Sequence, residues 1–365
     1  MIFFIYIHLE QTLIICYIIS MSSGTKFNFD WPFFGNKHII DFLQASIHNN
    51  KLAHFYIFTG AQDLGKGTLA NFFASSLLCR NFSDGKGPLP CGECPSCRHA
   101  AKGTHSDVTF LKRPEDKKNI SIDQIRDFIK MMNLGSFSGF YKIGIIKEGE
   151  NLSIEAANAL LKTLEEPKPG VVIILHTSML EWLPGTIASR GQILHFRPVA
   201  RERIYDYLIS QHKVSRDFAL DLSSLAKGRP ALAAKLFYDK DFFDFHKKTI
   251  KYFIQGIQSG LNEKFSLAEE LLNSALAGDK ETKQGAREIA GDILEIWQTV
   301  VRDLILLQFN LEELIINRLA MPELKKINFS LNRLREISEK IKQGREYLAA
   351  NVSPKLVLEN VNLQI

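Results

Sequence analysis

Residues 55–70 read Phe-Tyr-Ile-Phe-Thr-Gly-Ala-Gln-Asp-Leu-Gly-Lys-Gly-Thr-Leu-Ala, and no other stretch limits the fold so tightly. Phe55 to Phe58 is an apolar run of strand length. Gly60 to Lys66 matches G-x-x-x-x-G-K, with Gly65 and Lys66 closing it, and Leu69, Phe72, Phe73 and Leu77 recur at helical spacing behind. Strand, glycine-rich loop and helix in that order make a phosphate cradle. Loop N–H groups turn toward the anion, the helix N-terminus favours it, and Lys66 reaches the outer phosphates. A glycine-rich turn that binds nothing would be written in the same letters. The motif also departs at one place: it asks for Ser or Thr after the lysine, because that hydroxyl ligates Mg²⁺, and here Gly67 stands there with Thr68 one residue late. One residue along a helix turns a side chain by about 100°, so Thr68 is not expected to reach the same metal.

Four of the five cysteines are clustered. Cys79, Cys91, Cys94 and Cys97 are spaced C-x11-C-x2-C-x2-C, which suits a closed tetrahedral site of four thiolates around a structural Zn²⁺. An iron–sulfur cluster is the chemical alternative, without any second redox signal to support it. Clustered thiols of this kind point to a reducing compartment rather than to disulfides.

The rest of the chain places these motifs. Asn36 is a candidate cap for a helix within Trp31–Leu52, and a loop rich in Gly and Pro separates Cys79 from Cys91. Strands are expected over 107–111, 142–147, 171–175 and 192–196. Ser121-Ile-Asp-Gln124 is a capping box opening a helix that runs through Met132, and Ser153 caps another that stops before Pro167. Strands alternating with helices predict an α/β fold with a parallel five-stranded sheet. Past Arg197 the strand signals end. Short helices over 202–236 break at Gly228-Arg229-Pro230, and amphipathic helices follow at Ile289–Gln308 around Trp297, at Leu311–Leu319 and at Leu331–Leu348. A net charge of +5 is a mild lean toward anionic partners. The apolar run Ile2–Ile19 is interrupted by His8, Glu10 and Gln11 and has no basic flank. The expectation is therefore no membrane anchor, with residues 1–20 a misassigned extension and translation starting at Met21.

An ATPase with this loop should end its third strand in Asp-Glu, the Asp holding Mg²⁺ through water and the Glu activating the attacking water. This strand ends Ile145-Ile146-Lys147-Glu148. An ammonium replaces the metal-supporting carboxylate, so both expected Mg²⁺ supports are missing from one chain.

With Gly-Ala-Gln-Asp-Leu-Gly-Lys, the four cysteines, Ile122-Asp-Gln-Ile-Arg126, Ala156-Ala-Asn-Ala-Leu-Leu-Lys-Thr-Leu-Glu-Glu-Pro167 and Leu183-Pro-Gly-Thr-Ile-Ala-Ser-Arg190, the chain resembles the AAA+ clamp loaders of bacterial DNA polymerase III. The likeness is strongest over Trp31–Pro198 and rests mainly on helical character in the last third. It implies an AAA+ P-loop domain over 21–198 with a zinc module inserted at 79–97, a small helical lid over 199–240 and an all-α collar over 241–365. It implies a heteropentameric ring with the gamma/tau and delta subunits, which places a sliding clamp on primed DNA in the cytoplasm. In that family the arginine of Ser-Arg-Cys enters a neighbour's ATP site. Here the run is Ser189-Arg190-Gly191, with the arginine kept and the cysteine gone. Thr177 falls where the family carries its sensor residue. Gly60, Gly65, Lys66, Gly67, Thr68, Lys147, Glu148 and Thr177 are thus a degenerate nucleotide site, compatible with weak ATP or ADP binding but poorly equipped for Mg²⁺. The expectation is a scaffold member of the ring without ATPase activity of its own. An ATP-hydrolysing gamma/tau-type motor is the alternative, and an unrelated P-loop repair ATPase with a zinc module a more distant one.

Overall fold

The computed structural model describes residues 26–365 apart from 115, 116, 118, 138–140 and 277–282. The expectations for residues 1–20 and for a start at Met21 lie outside the described residues. The chain divides into two compact units, one made of residues 26–60, 66–112 and 120–196, the other of residues 61–65, 113–119 and 197–365.

Seven strands belong to the first unit: β1 Lys26–Phe29, β2 Phe55–Thr59, β3 Lys86–Leu89, β4 Val108–Leu111, β5 Lys142–Ile146, β6 Val171–Thr177 and β7 Gln192–His195. Five of them form one sheet in the order β4-β5-β6-β2-β7, every neighbouring pair parallel. Every residue of β2, β5 and β6 is buried, as expected for near-continuous apolar strands covered on both faces. The helices Ile122–Asn133 and Ile154–Glu165 join Phe55, Ile57 and Ile173 in one core through Phe128, Met132, Leu160 and Leu164. Gly144 of β5 is required there, because a Cβ would lie 2.3 Å from Phe128 Cζ. Both predicted caps form: Ser121 N–H donates to Gln124 Oε1 at 3.1 Å, and Ser153 Oγ accepts from Ala156 N–H at 3.1 Å.

Three local expectations are corrected. Asn36 does not cap through its side chain; it adopts a left-handed conformation (φ 47°), and the helix begins at Lys37 rather than Trp31. Trp31 instead packs inside the unit, its indole N–H donating to Ser76 Oγ and to the Leu89 carbonyl. The Gly- and Pro-rich stretch after Cys79 is not all loop, since β3 lies in it and pairs in parallel with β1 as a separate two-stranded sheet.

The second unit is helical, with long helices at Lys240–Gln258, Leu261–Leu276, Lys283–Gln308 and Leu331–Ala349. Their core gathers Phe253, Leu271, Leu294, Trp297, Ile341 and Leu358, and the Trp297 N–H donates to the Thr249 carbonyl at 3.2 Å. The expected helix over Leu311–Leu319 is absent. Two three-residue turns, Glu312–Leu314 and Arg318–Ala320, stand in its place. The cause is Asp303, fully buried, whose carboxylate accepts from the backbone N–H groups of Ile316 and Asn317 and so takes the donors a helix would need. Burial raises the Asp303 pKa, against the hydrogen bonds from Asn317 and Ile316. Among the described residues no helix is long and apolar enough to cross a membrane.

Candidate functional site

The glycine-rich loop leaves β2 at Thr59 and enters the helix Lys66–Leu77 directly at the lysine. Gly60 (φ 138°) and Gly65 (φ 89°) take up left-handed backbone that other residues resist, and Asp63 between them does so too (φ 60°). The Lys66 ammonium donates to the Gly60 carbonyl, folding back across its own loop. Gly60 N–H donates to the Thr177 carbonyl at 3.2 Å, tying the loop to the end of β6.

The sheet brings Lys66, Lys147 and His176 together at the C-terminal ends of β2, β5 and β6. His176 is 7% exposed, stacks on Phe58 with ring centroids 5.7 Å apart, and its Nε2 has no hydrogen-bond partner among the described residues. Burial, then the charges of Lys66 and Lys147, push its pKa down to about 3, so the imidazole is neutral at any ordinary pH. Lys147 is exposed, with its ammonium 5.4 Å from the Phe110 ring centroid. Thr68 is exposed as well, in line with the one-residue slip. Thr177 is buried and its hydroxyl donates to the Met179 carbonyl at 2.8 Å. Glu148, in left-handed backbone, accepts from Asn151 Nδ2 at 2.9 Å. Glu150 accepts from the backbone N–H and hydroxyl of Ser178. The arrangement sets two ammonium groups and a neutral ring beside carboxylates that Asn151 and Ser178 already engage, so the oxygen ligands a magnesium site needs are taken up within the chain.

Arg190 is not part of this cluster. Gln192 of β7 pairs with Tyr56 of β2, which puts Arg190 level with the start of β2, whereas Lys66 follows its end. By that register Arg190 is level with His54, five strand steps before Thr59, or about 17 Å along the strands. The guanidinium is held by Glu165, with Nε 3.1 Å from Oε1, and by the Thr186 carbonyl, 2.6 Å from Nη1. Gly191 packs tightly behind it. A Cβ there would lie 2.7 Å from two side-chain atoms of Ile57, so a side chain at this position would require Ile57 to shift.

The thiolate candidates converge. The sulfurs of Cys79, Cys91, Cys94 and Cys97 lie within 4.8 Å of one another, and none is in a disulfide. Cys91 Sγ and Cys97 Sγ are 3.9 Å apart, close to the ~3.8 Å edge of a tetrahedron with 2.3 Å zinc–sulfur bonds. Backbone N–H groups of Cys91, Cys94 and Cys97 point at the sulfurs of Cys79, Cys91 and Cys94, each at 3.4 Å. The hydrogen bond from the Cys97 thiol holds Cys79 down to about 5, and the same bond raises Cys97. Four cysteines positioned to hold one metal ion fit a tetrahedral thiolate site.

Sequence reasoning missed His176, Glu150 and Glu165. The only signal for His176 was a polar residue ending the apolar run Val171–Leu175.

Residues 35–200 match the family model described as DNA polymerase III, delta subunit. Over those residues the chain is similar to clamp-loader subunits of DNA polymerase III. The chain is 37% identical over 138 residues to DNA polymerase III subunit delta' of Pseudomonas aeruginosa, covering 38% of this chain and 41% of that one. It is 31% identical over 215 residues to subunit delta' of Bacillus subtilis (59% and 63%), and 35% identical over 170 residues to that organism's subunit tau (47% and 29%). The chain thus spans less than two thirds of the length of these curated relatives. A DNA polymerase III gamma subunit-related protein of Thermotoga maritima aligns over 88% of this chain and 97% of its own, with a TM-score of 0.51 at 18% identity. That likeness concerns the fold alone.

Proposed function

We propose that this protein is a delta-prime-type subunit of the DNA polymerase III clamp loader, a ring member that does not turn over ATP and lends Arg190 to a neighbour's nucleotide site. The observation that carries the reading is the separation of Arg190 from Lys66 along the sheet. An arginine at the opposite end of β2 from its own phosphate loop does not serve that loop, which supports a role toward another chain, where a guanidinium would stabilise charge on the transferred phosphoryl group. The replacement of both magnesium supports by Gly67 and Lys147 adds to it.

On this reading residues 21–198 are the AAA+ domain, 199–240 the lid and 241–365 the collar. Cys79, Cys91, Cys94 and Cys97 hold a structural Zn²⁺, which ties the segment between two helices and takes no part in hydrolysis. ATP or ADP binds weakly at Lys66 if at all. The partners are gamma/tau and delta subunits, the sliding clamp and, through the assembly, primed DNA in the cytoplasm. Matches to tau at similar identity keep the motor reading as the competitor. Purified protein with MgATP separates them: turnover stays below about 1 s⁻¹, the low end of the kinase range, and turnover above that level makes the chain a motor.

A further inference from the structure

Arg190 is held by its own chain before any partner arrives. Pro167 stops the helix Ile154–Glu165, so Glu165 is its last residue. That helix runs back to the start of the sheet, where His54 Nε2 is 2.9 Å from the Leu164 carbonyl. The short turn Gly185–Ala188 delivers Arg190 to the same edge. Glu165 Oε1 accepts from both Nε and Nη2 of Arg190, and the Thr186 carbonyl accepts from Nη1. Two different acceptors on different edges of a planar group fix its plane as well as its position.

Resting on the proposed role of Arg190 in a neighbour's site, we propose that Glu165 is its positioning residue. The carboxylate takes the Nε–Nη2 edge and leaves the second Nη2 hydrogen for a phosphate oxygen. Arg190 and Glu165 are about one third and one half exposed (32% and 51%). Water and salt therefore weaken the attraction between the charges, and the effect comes from geometry: an arginine already in place loses less freedom when the phosphate arrives.

The test is steady-state ATP hydrolysis by rings reconstituted with the nucleotide-hydrolysing partner subunits, clamp and primed DNA. Glu165→Ala is expected to lower kcat by about two- to fivefold with KM unchanged, the range an exposed ion pair supports. Glu165→Gln, whose amide oxygen can accept the same N–H groups, is expected to keep most of the rate. In an Arg190→Ala background Glu165→Ala should cost nothing more, since the two residues act as one unit. Additive losses would overturn the proposal, because a purely structural role would act in either background. If Arg190→Ala slows the ring and Glu165→Ala does not, the positioning role is wrong while the role of Arg190 stands. If Arg190→Ala changes nothing, both fall.

Discussion

At Gly67 a glycine stands where the motif asks for a hydroxyl, with room left for one. A Cβ there would meet only His176 Cε1, at an ordinary 3.9 Å. Gly67→Ser is therefore expected to fold like the parent and still show no magnesium-dependent phosphate release, because Lys147 continues to repel the metal where a carboxylate should support it. Turnover at about 1 s⁻¹ in that single variant would show that the hydroxyl alone was missing. Most of the candidate site was named at this scale, from motifs alone. Lys66, Gly67, Lys147 and Arg190 sit in motifs whose chemistry their neighbours declare. Glu165 could not be read, since it lies 25 residues from Arg190 and meets it only through the turn of a helix against the sheet. His176 lay just past the strand expected over 171–175, and its place beside two lysines exists only once β2, β5 and β6 are side by side.

Elements that close on themselves were legible, and elements made by a distant partner were not. The helix Ile122–Asn133 carries its own capping box and apolar stripe, so four residues and a period were enough. The Leu311–Leu319 segment has a helical pattern too, but Asp303 captures its N–H groups from another helix. Strands β1 and β3 are four residues each and, among the described strands, pair only with one another, with Pro88 in the second, so neither announced itself. The cysteine segment was legible because spacing alone sets the geometry of a thiolate site. Metal analysis should return one zinc per chain, and Cys94→Ser should lose it and open the segment to proteolysis, since a structural metal contributes folding energy directly. An iron-type absorption spectrum, or no metal in the parent protein, would contradict this.

At the scale of the whole molecule, each unit buries a histidine whose pKa is pushed far down, His176 in the first and His246 in the second. Burial, Lys66 and Lys147 hold His176 down to about 3 in the first; burial and then Lys227 hold His246 down to about 4 in the second. An unfolded chain protonates both near pH 6.5. Between that pH and the folded values the unfolded state binds more protons, so stability is full above about 6.5 and falls as the solution is acidified toward 4. The slope is roughly 1.4 kcal/mol per pH unit for each histidine. Glu295 adds a later loss. Its burial is outweighed by Lys227 and Arg229, which bring it to about 2, and its share fades as pH falls from the ordinary glutamate range toward that value. Urea midpoints should therefore be flat above neutrality and lower near pH 5, with His176→Asn flattening the response of the first unit. Midpoints that do not move between about pH 7.5 and about pH 5 would refute the linkage.

The central claim is that the chain's useful chemistry leaves through Arg190 and not through Lys66. Rings reconstituted with Arg190→Ala or with Lys66→Ala, assayed for ATP hydrolysis stimulated by clamp and primed DNA, compare the two directly. A guanidinium supplied in trans is worth roughly 10³-fold or more at the one site it completes, so Arg190→Ala should leave the ring assembled and silence that site, with a smaller fall in the total because other sites still fire. Lys66→Ala should leave the rate nearly unchanged. A ring crippled by Lys66→Ala and indifferent to Arg190→Ala would contradict the account and make this chain a motor.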